Sequence, residues 1–295
     1  MIAVAGASGF VGRAFCRMLE LRGKRVLRIG RRDADVRWPS VGEEFGEDAR
    51  ERLRGVRAVV NLAGEPIGAR WTDARRHAIR DSRVRLTAVL ARAIALLDPR
   101  PAVLVSASAV GIYGDRGDEW LDEASRPGDG FLANVAREWE AATEPARLSG
   151  IRVVLLRLGI VVGPGGGIVS QLRPAFRLAL GARLGDGSQW MSWISLADTV
   201  RCIARAVDDD QVRGVVNVVS PHPVTNSDFT KAFARASGRP AVLAAPAFAL
   251  RVVFGEMADG VLLSSQRVRP AQLLAQQYAF ENPSLEGTLR TALDQ

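Results

Sequence analysis

Residues 3–12, Ala3-Val4-Ala5-Gly6-Ala7-Ser8-Gly9-Phe10-Val11-Gly12, decide the fold of this chain. A short apolar run over residues 1–5 predicts a buried strand, and the apolar spacing of residues 14–21 predicts a helix. Gly6 suits the tight turn between them, Gly9 lets the backbone approach a phosphate, and Gly12 permits close packing of helix on strand. The free N–H groups of a helix start suit a diphosphate. The segment therefore predicts a dinucleotide site, and an ordinary βα turn is the alternative.

The next strand carries the signal for the type of dinucleotide. Residues 25–29 predict a strand, and Gly30-Arg31-Arg32-Asp33 follow it about 20 residues after the glycines, where such sites contact the adenosine ribose. Arginine at this place favours the 2′-phosphate of NADP(H), whereas an acidic residue would accept the 2′-OH of NAD. Arg31 and Arg32 therefore predict NADP(H), and Asp33 keeps open the alternative of a solvated basic turn.

Composition narrows the class of protein. The 295 residues are 47% hydrophobic and 24% charged, as in globular proteins, and no apolar run approaches the ~20 residues that cross a bilayer. The formal net charge of +8 comes from scattered arginines without a basic run, which argues against nucleic-acid binding. The strand predicted at Met1 leaves no room for a signal peptide, and the two cysteines form no ligand cluster. We expect a cytoplasmic protein that binds neither membranes nor metal ions.

The order of predicted elements gives the fold class. Strands predicted at 56–62, 102–106 and 151–158 alternate with helices at 72–97 and 131–148, which indicates an α/β fold, a Rossmann-type doubly wound parallel sheet. The expected core is 1–162, completed by about 195–220. Residues 163–295 are expected to form a smaller, mostly helical C-terminal cap on the substrate side.

Several motifs carry a resemblance to a known family. Besides the glycines, these are NLAGEPI at 61–67, Ser82-Arg83-Val84, Trp139-Glu140, LRLGIVVGPGGG at 156–167 and WISLAD at 193–198. They resemble the extended short-chain dehydrogenases/reductases of the nucleotide-sugar epimerase group. More narrowly, the chain is similar to an atypical subfamily, the epimerase family proteins similar to family 39U member 1, which carry a C-terminal domain of undefined role. The resemblance implies an NADP(H) site and supplies no substrate.

The predicted cofactor contacts lie at the glycine segment and at the ends of the parallel strands, where this architecture places its ligands. They are Gly6, Ser8, Gly9, Phe10, Val11, Gly12, Arg31, Arg32, Leu62, Ala63, Gly64, Glu65, Ser82, Ser106, Ala107 and Arg157. Arg157 stands on a predicted buried strand and therefore needs an anionic partner.

The catalytic pair of the wider family is missing. Its Tyr-xxx-Lys pair lies on one helix face, where lysine binds ribose and lowers the tyrosine pKa. The tyrosines here are Tyr113 and Tyr278, and the lysines are Lys24 and Lys231. In the helix predicted from residue 131, Phe131 or Leu132 stands where the wider family has its tyrosine. Val135 or Ala136 stands where that family has its lysine. This departure argues against ordinary epimerase or dehydratase chemistry.

Other side chains are candidates for chemistry. Ser108 and Tyr113 follow a predicted strand end: Ser108 is expected to bond cofactor or substrate, and Tyr113 is either a substitute acid or a packing side chain. Trp190, Trp193 and Asp198 are candidates for the substrate pocket, with core packing and structural hydrogen bonding as alternatives for the last two.

Two functions follow. One is an NADP(H)-dependent oxidoreductase acting on an unidentified small molecule with a non-standard proton donor. The other is a regulator or sensor that binds NADP(H) without turnover. The oligomeric state stays open, a homodimer included.

Overall fold

A computed structural model describes residues 1–294. The strands are β1 Ile2–Ala5, β2 Val26–Gly30, β3 Val36–Arg37, β4 Ala58–Asn61, β5 Val103–Ala109, β6 Trp120–Leu121, β7 Arg152–Leu158, β8 Ile160–Val162, β9 Ala182–Leu184, β10 Trp190–Met191, β11 Trp193–Ser195, β12 Gly214–Val218, β13 Val224–Thr225, β14 Leu243–Ala245 and β15 Arg267–Val268.

The α-helices flank these strands. They are α1 Phe10–Leu21, α2 Glu47–Leu53, α3 Asp73–Asp81, α4 Val84–Ala95, α5 Phe131–Ala141, α6 Glu144–Leu148, α7 Gly167–Arg177, α8 Leu196–Asp208, α9 Asn226–Ser237, α10 Ala247–Phe254, α11 Ala271–Ala275 and α12 Leu285–Leu293. A 3₁₀ turn at Val110–Tyr113 and a π-helical turn at Ala258–Leu262 complete the list. No helix within residues 1–294 is long and apolar enough to cross a membrane.

Seven parallel strands form the central sheet in the order β12-β7-β5-β4-β1-β2-β3. From β1 the chain runs outward through β2 and β3, then returns to place β4 on the other side of β1. The strand order therefore reverses between β1 and β4, which is where open α/β sheets bind ligands beyond their strand ends. The predicted doubly wound parallel sheet is confirmed.

Both faces of this sheet are covered, which is why its strands are apolar on both sides. Ile2 and Val4 of β1 belong to a core with α1 and α8, and Ala3 and Ala5 belong to a second core with α4. A third core lies in the C-terminal half, around Trp193, Phe233 and Leu289. Packing in the first two cores fixes the positions of the strand ends, where the dinucleotide site is predicted.

The two long predicted helices are each broken in the structure. The helix predicted over 72–97 divides into α3, which ends before Ser82, and α4, which begins after Arg83; the hydroxyl of Ser82 donates to the Ile79 carbonyl at 3.0 Å. The helix predicted over 131–148 divides into α5 and α6, where Pro145 occupies the first turn of α6 and has no N–H to continue the earlier helix.

Asp198 in the first turn of α8 fastens the C-terminal segment to the sheet. Its carboxylate accepts hydrogen bonds from the backbone N–H groups of Glu281 and Asn282, at 2.9 and 3.1 Å, and from the hydroxyl of Ser195 at 2.8 Å. Because Asp198 is 1% exposed, these interactions take place inside the protein.

Candidate functional site

Three backbone segments meet at the glycines after β1. Gly6 has a φ of +76°, and a Cβ placed on it would lie 2.6 Å from the carbonyl carbon of Leu62 after β4. A Cβ on Gly12 would lie only 2.1 Å from the carbonyl oxygen of Gly6. Side chains are therefore excluded at both positions, and the start of α1 sits directly against the ends of β1 and β4.

The start of α1 is open to an anion. Gly9 is the N-cap residue and offers no side chain to the free N–H groups, and the first turn of the helix contains no acidic residue. The exposed Ser8 turns its carbonyl toward Arg13, whose Nη1 lies 2.6 Å away. An uncapped helix start above a cradle without side chains fits a dinucleotide diphosphate.

Arg31 and Arg32 are both exposed immediately after β2. Arg31 lies 2.8 Å from the carboxylate of Glu65, which brings the turn after β4 beside the end of β2. Asp33 follows with a φ of +48°, an uncommon conformation, in the short turn between β2 and β3. The two cationic side chains thus stand open at the place predicted for a 2′-phosphate.

Hydrogen bonds from backbone N–H groups to two side chains hold the turn after β4 in place. The Ala63 N–H donates to Oδ1 of Asn61 at 3.3 Å, and the Glu65 N–H donates to the hydroxyl of Ser82 at 3.0 Å. Ser82 therefore supports the turn that holds Leu62, Ala63 and Gly64.

A second layer of polar side chains lies beneath this turn. The amide of Asn61 donates to Oγ1 of Thr87 at 2.8 Å, and the indole of Trp139 donates to the same oxygen at 2.9 Å. Ser106 is fully buried beside Asn61, and Ala107 is 5% exposed. The Ser106 hydroxyl lies inside the protein, and contact of Ser106 with the cofactor stays a prediction.

A buried ion pair connects α5 to β7. Arg157 forms two hydrogen bonds with the carboxylate of Glu140, at 2.8 and 2.9 Å, and the two side chains are 7% and 12% exposed. Burial is the largest single effect and opposes the charge of Arg157, but the hydrogen bonds and charge interactions with Glu140 and Tyr113 together outweigh it and hold the pKa of Arg157 above its ordinary value. The expected anionic partner is thus Glu140, and contact of Arg157 with the cofactor stays a prediction.

Ser108 and Tyr113 belong to the same network. The hydroxyl of Ser108, near the end of β5, donates to Glu140 at 2.7 Å. Tyr113 is fully buried, and its oxygen accepts from Arg157 at 3.0 Å and lies 2.8 Å from Oδ1 of Asn217. Burial raises the pKa of Tyr113. These contacts favour the packing role of Tyr113, and its role as a substitute acid stays a prediction.

The three predicted pocket residues have different surroundings. Trp193 is fully buried and donates from its indole to the His222 carbonyl at 2.8 Å, so it is a core residue. Asp198 holds the C-terminal segment, as described above. Both residues make the structural contacts given as alternatives, and their place in a substrate pocket stays a prediction. Trp190 remains partly exposed, and its ring centroid lies 4.0 Å from the guanidinium of Arg267.

The helix that would carry the Tyr-xxx-Lys pair is present as α5. Phe131 and Leu132, at the tyrosine place, are partly exposed, whereas Val135 and Ala136, at the lysine place, are each 3% exposed. The face is apolar and offers no group that exchanges a proton. Sequence reasoning missed Glu140 of this helix as the partner of Arg157, and Arg83 as the side chain that packs on Trp139, although the quoted motifs Trp139-Glu140 and Ser82-Arg83-Val84 contain both.

The Glu140–Arg157 pair yields a stability prediction. Glu140→Gln leaves the Arg157 charge buried without its anion, so we expect a loss of about 3 kcal/mol in the free energy of unfolding, measured by chemical denaturation. Glu138→Gln on the same helix removes an exposed partner of Arg80 and is expected to cost less than about 1 kcal/mol. Equal small losses for the two variants would contradict the assigned role of the buried pair.

Comparison with known proteins places these features in a family. A family described as "NAD dependent epimerase/dehydratase family" matches residues 2–219, and a domain of unknown function, DUF1731, matches residues 245–292. The chain is 44% identical over 290 residues to the epimerase family protein Mb2239 of Mycobacterium bovis, which covers 97% of this chain and 95% of that protein. It is 34% identical over 296 residues to human epimerase family protein SDR39U1, which covers 98% of both chains.

A solved structure extends the likeness to three dimensions. The crystal structure of human SDR39U1 (isoform 2) with NADPH matches at a TM-score of 0.89 and 32% identity, and covers 100% of this chain and 99% of that chain. The sequence profiles, the relatives and the architecture agree. The chain belongs to the NAD dependent epimerase/dehydratase family, in the group of SDR39U1 proteins with a C-terminal DUF1731 domain.

Proposed function

We propose that this chain binds NADP(H) across the carboxyl ends of β2, β1 and β4. The observation that carries the proposal is the cradle at Gly6 and Gly12 beneath the uncapped start of α1. The human relative crystallised with NADPH supports it. The N–H groups of α1 would hold the diphosphate, and Arg31 with Arg32 would bind the 2′-phosphate.

Cofactor preference is the first test. We expect NADPH to bind at least tenfold more tightly than NADH, about 1.4 kcal/mol, in calorimetric titrations. Arg31→Ala/Arg32→Ala is expected to erase this preference, because it removes both cations near the 2′-phosphate. Arg54→Ala/Arg147→Ala removes the same charge from exposed sites and should keep the preference. Equal affinities in the wild type would count against NADP(H) as the cofactor.

We further propose that the chain is an NADP(H)-dependent oxidoreductase. The bound nicotinamide supplies or accepts a hydride. Ser108 lies near the end of β5, and its only hydroxyl proton goes to Glu140 in this structure. On substrate binding, the Ser108 hydroxyl would turn from Glu140 and donate to the reacting oxygen of the substrate, and residues 163–295 with Trp190 would form the substrate side. Within this proposal the proton comes from solvent, because α5 offers no proton donor.

Hydride transfer is tested with a panel of carbonyl compounds and nucleotide sugars. Oxidation of NADPH is followed at its absorbance, and at least one substrate is expected to turn over. Ser108→Ala is then expected to lower the rate roughly 100-fold, the cost typical of losing one hydrogen-bond donor to a developing charge. Ser40→Ala, at an exposed position, serves as the matched control. A wild-type rate in Ser108→Ala would remove its assigned role.

A second candidate is a regulator or sensor that binds NADP(H) without turnover. It is favoured by the burial of Tyr113 and by the apolar face of α5, which together leave no tyrosine or lysine at the expected reaction site within the described residues.

The sensor proposal predicts a partner protein whose affinity depends on the cofactor. Affinity capture is performed with the protein alone, with NADPH and with NADP⁺, and the captured partner is then titrated in purified form. We expect its Kd to change at least tenfold between the two redox forms. Identical affinity in all three conditions would argue against this function.

A further inference from the structure

Arg83 lies between the turn after β4 and helix α5. It follows the break between α3 and α4, and a Cβ placed on Gly64 would lie 3.1 Å from Cζ of its guanidinium. The same guanidinium lies 5.3 Å from the ring centroid of Trp139 on α5. Arg83 therefore touches both the predicted cofactor turn and the helix that lacks the catalytic pair.

The guanidinium of Arg83 has only neutral hydrogen-bond partners. Its Nη1 lies 3.2 Å from the Ile79 carbonyl and 3.4 Å from the hydroxyl of Ser82. No carboxylate within residues 1–294 lies within ion-pair distance of it, and nearby Glu65 is paired with Arg31. Arg157, the other arginine packed into this region, has its carboxylate in Glu140.

Its surroundings are unfavourable for an unpaired cation. Burial lowers the pKa of Arg83 to about 10, against a smaller opposing effect of Glu65. Part of the side chain nevertheless remains open to solvent. Folding has already removed much of the water around the Arg83 guanidinium. An anion that binds beside it therefore gains a strong interaction without a further desolvation cost for Arg83.

The strand order locates Arg83 along a bound dinucleotide. The end of β2 carries Arg31 and Arg32, β1 next to it carries the glycine loop, and β4 follows on the far side. A dinucleotide with its 2′-phosphate at β2 and its diphosphate over β1 places its nicotinamide half over the turn after β4. Arg83 borders that turn on the side of α5.

Arg83 also lies near the place that the lysine of the wider family occupies. Val135, one of the two residues at that place, stands four residues before Trp139 and therefore on the same face of α5. The Arg83 guanidinium lies over the indole ring of Trp139. The positive charge of Arg83, at the start of α4, therefore lies one helical turn from the position where the wider family has its lysine and α5 has an apolar residue.

We propose that Arg83 binds the nicotinamide-side phosphate and ribose of the dinucleotide, in place of the lysine that α5 lacks. The proposal rests on the proposed NADP(H) function and adds a residue to the same site. The planar guanidinium, held between Gly64 and Trp139, offers two donors to phosphate or ribose oxygens.

The test compares two ligands and three variants by calorimetric titration. NADPH spans the whole site, whereas 2′,5′-ADP carries only the adenosine half with its 2′-phosphate. We expect Arg83→Gln to weaken NADPH binding at least tenfold while the Kd of 2′,5′-ADP stays within about twofold, a difference of about 1.4 kcal/mol. Arg83→Lys, which keeps the charge, should restore part of the loss. Arg80→Gln, at an exposed residue of α3, should leave both ligands unchanged.

The outcomes separate this proposal from the function on which it rests. Failure of the wild type to bind NADPH overturns the proposed function. Wild-type affinity of Arg83→Gln for NADPH overturns only the role of Arg83, and so does an equal loss for both ligands, which indicates general damage to the site. If Arg83→Gln does not fold, Arg83→Met, which removes the charge but keeps a side chain of similar length, carries the test: a loss of at least tenfold for NADPH alone supports the role, and unchanged binding overturns it.

Discussion

The close approach of three backbones at Gly6, Gly12 and Leu62 is the constraint on which the site depends. A methyl group on Gly12 would come within 2.1 Å of the Gly6 carbonyl, so α1 could not begin where it does. Since α1 packs against α8 through one of the two sheet cores, a shifted helix start would disturb that core as well. The glycines therefore determine where α1 lies on the sheet and, with it, the geometry of the proposed anion site.

The strand ends beyond this cradle are held by interior hydrogen bonds. Asn61 fixes the turn after β4, and Thr87 receives donors from both Asn61 and Trp139. Glu140 and Arg157 then tie α5 to β7, with Ser108 attached to the same carboxylate. Most of the polar side chains at these strand ends thus bond to each other, which leaves backbone groups and few side chains to face a ligand.

Local patterns allowed the sequence to predict the sheet and the glycine loop, because a strand, a turn and a helix start are encoded within a dozen residues. Arg157 was predicted to need an anion from its burial alone, but Glu140 was not named as that anion. The burial of Tyr113, Ser106 and Trp193 was not predicted, because it depends on contacts with residues distant in the chain. Asn217 bonds Tyr113 across 104 residues, and no local pattern reports such a contact.

The two arginines packed between the sheet and α5 show how binding and catalysis can separate in one fold. Arg157 meets a full carboxylate and is electrically satisfied inside the protein, whereas Arg83 meets only a carbonyl and a hydroxyl. The buried guanidinium of Arg157 uses its donors on Glu140 and Tyr113, whereas that of Arg83 keeps donors free for a ligand. A guanidinium also stays protonated over the whole physiological range, so it attracts anions but does not exchange a proton as a lysine–tyrosine pair does. An arginine in this position is therefore compatible with tight cofactor binding. Because the apolar face of α5 has no proton donor, either solvent supplies the proton or no proton is transferred.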